Sequence, residues 1–151
     1  MTEGHSRAIP YGVVDSSVSL KWALDDEEEV SRAVALRDAA IEGSFQMVAP
    51  SLWLYEVANG LVTAARRGRL TSQAGARALA HLVAVGVQFA DPEIGDVYGR
   101  ALRYGVAAYD AAYLALAEAL SAPLWTGDRR FFETVRASTP LVRWIGDYRA
   151  E

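Results

Sequence analysis

Four acids stand out in this chain by position: Asp15, Glu56, Asp110 and Asp128. Asp15 closes the apolar run Y-G-V-V-D and Asp128 closes A-P-L-W-T-G-D, so each ends a predicted strand. Glu56 and Asp110 fall on the first turns of predicted helices. In a parallel sheet, the carboxyl ends of strands and the starts of helices that follow them share one rim, where the four carboxylates would converge. Like charges held within ~5 Å raise one another's pKa and destabilise the fold unless a cation neutralises them. Mg²⁺ or Mn²⁺ is the natural cation, because these hard ions take carboxylate oxygens and share their shell with substrate phosphate. A carboxylate-bound ion of this kind activates water and polarises an oxygen bound to it. Other general bases are few: His5 lies in the N-terminal stretch, and His81 reads as a packed or surface histidine of an apolar helix.

Each acid also has a plainer reading. Asp110 and Asp128 suit helix N-caps, a role Asp fills routinely. Asp15, before Ser16 and Ser17, is either a cap or a site residue. Glu56 lies in L-W-L-Y-E-V-A-N-G-L on a face shared with Asn59 and Thr63, which is either a site face or a polar stripe toward water.

The elements that must position these acids alternate in type. Tyr11 to Asp15 predicts a strand, and S-S-V-S-L-K-W-A-L a helix behind it. The acidic run Asp25 to Glu29 is expected to open a second helix through Ile41, with acids complementing the helix dipole. F-Q-M-V-A-P predicts a second strand, Ser51 the cap of a helix from Leu52 to about Arg67, and Thr71 the cap of another reaching about Val85. V-Q-F-A reads as a third strand, followed by helices from about Pro92 to Tyr104 and about Tyr109 to Leu120. A-P-L-W-T-G-D is the fourth strand, R-R-F-F-E-T-V-R a short helix, and L-V-R-W-I a final edge strand. The pattern predicts an α/β sandwich: a mainly parallel sheet flanked by helices, formed by the whole chain as one domain, with residues 1–10 as a flexible tail.

Composition narrows the chemistry. With 151 residues, 52% of them hydrophobic, the chain is long and apolar enough for one sizeable core. It has no Cys, which excludes disulfide scaffolds, thiolate zinc sites and cysteine nucleophiles. No run approaches the ~18 apolar residues that cross a bilayer, and the cytoplasm is the default location. The net charge of −4 divides unevenly, into −6 over residues 1–65 and +2 over 66–151, so local basic surface remains. Fourteen of the 15 basic residues are Arg, whose planar fork suits phosphate, although a GC-rich genome also explains that bias.

Taken in order, V-V-D-S-S-V-S-L-K-W at 13–22, E-V-A-N-G-L at 56–61, Y-D-A-A-Y-L-A-L-A at 109–117 and T-G-D-R-R-F at 126–131 resemble the PIN domain family, specifically its VapC-type toxins of bacterial toxin–antitoxin pairs. The resemblance implies a three-layer sandwich with a parallel sheet of four or five strands. It implies that Asp15, Glu56 and Asp110 are the core acids, that Asp128 completes a Mg²⁺ or Mn²⁺ pocket, and that Ser17, Asn59 and Thr126 brace it, with the Asn59 amide donating to Glu56. The implied activity is metal-dependent endonucleolytic cleavage of RNA, leaving 5′-phosphate and 3′-hydroxyl ends. Arg66, Arg67, Arg69, Arg129 and Arg130 are candidates to steer RNA toward the acids. The implied partners are a second copy of the chain and a cognate VapB-type antitoxin that inserts an Arg among the acids. Trp22, Leu24, Leu52 and Tyr55 are candidates for the docking groove or dimer face, or for the core.

Other classes fit less well. A haloacid-dehalogenase-like phosphatase needs a second acid where Ser17 stands, and a receiver domain needs a late lysine, whereas the only Lys is Lys21. A P-loop enzyme lacks its G-x-x-x-x-G-K-[ST] motif. A catalytically weak PIN-fold binding module and a metal-dependent DNA nuclease remain as alternatives.

Overall fold

Five short apolar runs form a single sheet in the computed structural model, which describes residues 8–150. They are β1 (Tyr11–Val14), β2 (Gln46–Ala49), β3 (Gln88–Phe89), β4 (Leu124–Thr126) and β5 (Val142–Trp144). The sheet order is β3-β2-β1-β4-β5 and every pairing is parallel. Parallel neighbours need crossovers, and the helices supply them: α1 (Ser16–Ser19) with a 3-10 turn at Leu20–Trp22, α2 (Val30–Ile41), α3 (Leu52–Arg66), α4 (Ser72–Ala84), α5 (Ile94–Tyr104), α6 (Ala108–Leu120) and α7 (Arg129–Val135). The chain builds outward from β1 to β3, then returns through α5 and α6 to place β4 on the other side of β1. That reversal puts crossover helices on both faces and makes the three-layer α/β sandwich that the sequence pattern predicts.

The middle strands read as continuous apolar runs because both faces are covered. Val13, Val14 and Leu124 have no solvent exposure, and Leu36, Val57 and Leu114 cover them from the helices. Each such side chain contributes about 1.5–3 kcal/mol on burial. Trp53 is fully buried too, and its indole N–H donates to the Ser19 hydroxyl at 2.9 Å.

Two local expectations differ. The acidic run stands in turns ahead of α2, not inside it, with Glu29 in the left-handed region at φ 59°. Its acids serve the tertiary structure: Arg69 donates to Asp26 at 2.6 and 2.9 Å and to Glu27 at 3.0 Å. Ser51 does not cap α3; its backbone is already helical, and its hydroxyl donates to Asp91 at 2.8 Å. Thr71 does cap α4, accepting from the Ala74 amide at 3.1 Å. Of the expected N-terminal tail, residues 1–7 lie outside the described residues, while the Pro10 carbonyl accepts the Gln46 amide at 2.8 Å and anchors the start of β1.

Two consequences position the site. The reversal of strand order at β1 and β4 opens a crevice at their carboxyl ends. Helix α3 leaves the end of β2, so it starts at that rim; α6 runs back toward the beginning of β4, so its N-terminus lies there as well. No helix of the described residues is long and apolar enough to cross a membrane.

Candidate active site

Asp15 follows the last residue of β1, and its amide donates to the Trp125 carbonyl of β4 at 3.1 Å, so the two strand ends are stitched together at the acid itself. Its carboxylate is 7% exposed. Oδ2 accepts from the Thr126 hydroxyl at 2.8 Å and from the Ser17 hydroxyl at 2.9 Å; Oδ1 accepts more weakly from Ser16 at 3.3 Å. The hydroxyls are held in turn, since the Gly127 amide donates to Ser17 at 2.8 Å and the Asp128 amide to Thr126 at 3.0 Å. Ser17 and Thr126 therefore stand directly against the first acid.

Thr126→Val keeps the shape but leaves Asp15 one donor short and the Asp128 amide without its acceptor. A loss of about 2 kcal/mol in urea unfolding is expected, and an unchanged midpoint would show that these bonds contribute nothing.

Glu56 sits on the second turn of α3, one turn later than the sequence suggests, and is half-buried. The partner expected for it, Asn59, is exposed and makes no hydrogen bond to it among the described residues, because one face of α3 is turned outward at that position. Tyr113 of α6 takes the role instead, donating its hydroxyl to Oε1 at 2.7 Å. Sequence reasoning missed Tyr113, although Y-D-A-A-Y places it three residues after Asp110, on the same helix face. Asp110 lies on the first turn of α6, half-buried, while the cap position belongs to Ala107. Asp128 is exposed and does cap: its Oδ1 accepts from the Phe131 amide at 3.1 Å at the start of α7. Asp110 and Asp128 together line a cavity of about 340 Å³ with Arg130, Val106 and Phe131.

The electrostatics tie the four acids to one another. Burial pushes Asp15 above the usual carboxylate range, its hydroxyl donors pull it back, and the charge of Asp128 raises it further. Burial raises Glu56 to about 7 against the Tyr113 hydrogen bond, with the charges of Asp15 and Asp110 adding to the rise. Asp110 is raised to about 6 by burial, then by Asp15 and Asp128. Tyr113 is raised by burial and by the neighbouring charges of Asp15 and Glu56, so it stays a donor.

Among the described residues no three acids form a ready-made metal cage. The donor set nevertheless suits a hard divalent ion. All its atoms are oxygens, and none of the four carboxylates is ion-paired to an Arg or Lys among the described residues. The missing counter-charge is what burial and mutual repulsion call for.

The five arginines separate. Arg130 borders the cavity with Asp110 and Asp128. Arg129 lies over the Trp144 ring at 4.2 Å with its side chain 62% exposed, whereas Arg69 is paired with Asp26 and Glu27. Arg66 and Arg67 end α3, about 15 Å along the axis from Glu56 at ~1.5 Å per residue, and belong to the far end of the helix. Of the four apolar candidates, Leu24 is core, Trp22 and Leu52 are partly buried against it, and Tyr55 is 79% exposed. His81 is exposed on α4, and His5 lies outside the described residues.

A parallel sheet with reversed order at β1, carrying acids at the ends of β1 and β4 and on the two helices that start beside them, matches the model of one family: the PIN domain, over residues 12–137. The chain belongs to the PIN domain family. Among curated proteins it is 35% identical to Ribonuclease VapC3 of Pyrobaculum aerophilum over 127 residues, covering 80% of this chain and 92% of that one. It is equally similar, at 35% over 132 residues, to VapC ribonuclease Mb0985 of Mycobacterium bovis and Ribonuclease VapC9 of Mycobacterium tuberculosis, covering 86% of this chain and 95% of each. Among solved structures, the crystal structure of PAE2754 from Pyrobaculum aerophilum superposes with a TM-score of 0.67 at 25% identity, covering 91% of both chains.

Proposed function

We propose that this protein is a VapC-type toxin: an endoribonuclease that depends on Mg²⁺ or Mn²⁺, acts in the cytoplasm as a homodimer, and is held in check by a cognate VapB-type antitoxin. The observation that carries this reading is that Asp15, Glu56 and Asp110 are raised by burial and by the charges of their neighbours, Asp128 among them, with no cation paired to any of the four among the described residues. Its support from relatives is that three of them are named as VapC ribonucleases and align over most of their length.

Asp15, Glu56, Asp110 and Asp128 would hold the ion. When bound, a divalent ion supplies activated water and neutralises charge developing on the scissile phosphate. The protein's own groups keep the carboxylates aimed. Ser17 and Thr126 hold Asp15 by two hydrogen bonds to one oxygen, which leaves Oδ1 with only the weak Ser16 contact. Tyr113 holds Glu56 Oε1 by one hydrogen bond. Arg130, at the edge of the Asp110 and Asp128 cavity, is placed to meet a phosphate arriving there. No Ser, His or Lys nucleophile is required.

The test is cleavage of a labelled single-stranded RNA, with duplex DNA of matching sequence beside it. RNA should be cut with Mn²⁺ or Mg²⁺, spared with excess chelator, and cut again when the metal is restored. Cleavage that survives the chelator would overturn the metal-dependent reading, and preferential DNA cleavage would favour the DNA-nuclease alternative.

A further inference from the structure

The chain has fifteen basic residues and a single lysine, Lys21, which is 6% exposed. Its stem is covered while the ammonium keeps contact with solvent, since no fully buried side-chain nitrogen among the described residues lacks a partner. Lys21 forms no ion pair within 4 Å and no side-chain hydrogen bond among the described residues. Its direction is set by a close approach. A methyl group added to Gly127 would stand 2.7 Å from Cε and 3.5 Å from Nζ of Lys21, and 3.3 Å from the Ser17 carbonyl oxygen. The side chain thus runs from the 3-10 turn after α1 across Gly127, the residue between Thr126, which holds Asp15, and Asp128.

A lysine in a chain that otherwise uses arginine needs a reason, and the space explains it. The compact ammonium passes where only a glycine leaves room, and the wider guanidinium fork would have to displace the turn. The charge also has a destination. The acids beside it lie beyond ion-pairing distance, and the remaining demand for a cation at this rim comes from whatever anion the acids and their ion draw in.

We propose that Lys21 is a phosphate-binding residue of the site, its ammonium contacting a backbone phosphate of the bound RNA strand beside the turn at Gly127. This rests on the ribonuclease reading. Lys21 and Arg130 then offer two positive charges at the rim, which together with the two of a bound divalent ion offset the four carboxylates as a polyanion approaches.

The experiment measures binding rather than turnover, in an Asp15→Asn background where cleavage is slowed enough for binding to reach equilibrium first. Affinity for a labelled 20-nucleotide single-stranded RNA is followed in Mn²⁺ across a series of KCl concentrations, with and without Lys21→Met. Removing one phosphate contact should weaken binding about tenfold and flatten the slope of log Kd against log salt by about 0.7. Gly127→Ala, which keeps every charge but pushes the ammonium aside, should weaken binding in the same direction, and it serves as the test if Lys21→Met fails to fold. Unchanged affinity and salt slope in either folded variant would overturn the assignment. If the wild type cuts RNA while the variant binds normally, only the role of Lys21 fails; if the wild type neither binds nor cuts RNA, the ribonuclease reading fails with it.

Discussion

Asp15→Asn should lower RNA cleavage by about 100-fold or more while making the metal-free protein more heat-stable. The catalytic half follows from removing one negative charge from an acid that ends β1 and is hydrogen-bonded to β4, where losses of ligand or electrostatic groups commonly have this size. The stability half has the opposite sign because the two effects answer to different states. Burial and the neighbouring charge of Asp128 hold the Asp15 carboxyl above its ordinary range, so at neutral pH its ionised form costs the folded state energy that the unfolded chain does not bear. An amide of the same shape avoids that cost. Its oxygen can accept from Ser17 and Thr126, and its nitrogen can face the Ser16 hydroxyl, which turns to accept. For a chain of this size each ~1 kcal/mol recovered raises the melting temperature by about 2–4 °C. Added Mn²⁺ should stabilise the variant less than the wild type, since the ion has lost a ligand. A lower melting temperature in chelator for Asp15→Asn would show that the carboxylate is structurally favourable, as a plain helix-start residue would be.

Asp15 and Asp128 could be located from sequence because each ends an apolar strand, and a parallel sheet leaves only one rim for such ends. Asp110 and Glu56 followed from helix starts, which local spacing marks to within a turn. Contacts between distant elements were less legible. Tyr113 reaches Glu56 from α6 across to α3, a relation across 57 residues that no periodicity records. Asn59 misled for the complementary reason: i to i+3 spacing places it near Glu56 on an isolated helix, but the packing of α3 turns that position to solvent. The pairing of Arg69 depends on the turns that carry Asp26 and Glu27, some 42 residues away in sequence. The depth of Lys21 is likewise a tertiary fact, since nothing in L-K-W distinguishes a solvated lysine from one laid across Gly127. Activity was least legible from residue types alone. Carboxylates imply a cation and a phosphate, while RNA as the substrate rests on the order of four motifs and on named relatives.

The metal-free protein should be more stable at pH 5 than at pH 7.5, the reverse of what salt-bridged carboxylates produce. Glu56 is raised from 4.5 to about 7 and Asp110 from 3.8 to about 6 in the fold. Between each ordinary value and its folded value, the native chain holds a proton that the unfolded chain has released. Stability is therefore fully present below about pH 4 and lost as pH climbs through about 6 to 7. A tenfold change in a carboxyl's proton affinity corresponds to about 1.4 kcal/mol, but both groups are half-exposed and partly screened, so a fall of about 2 kcal/mol in total is the expected order. A divalent ion reverses the trend, because it binds the ionised carboxylates and competes with protons for them. At a concentration one hundred times its Kd it adds about 2.7 kcal/mol, and that gain should be large at pH 7.5 and small at pH 5. Thermal unfolding from pH 5 to 8, in chelator and in Mn²⁺, measures both curves. They should diverge as pH rises; a chelator curve that is flat or climbs toward pH 7.5 would mean that the acids are solvated separately and share no pocket.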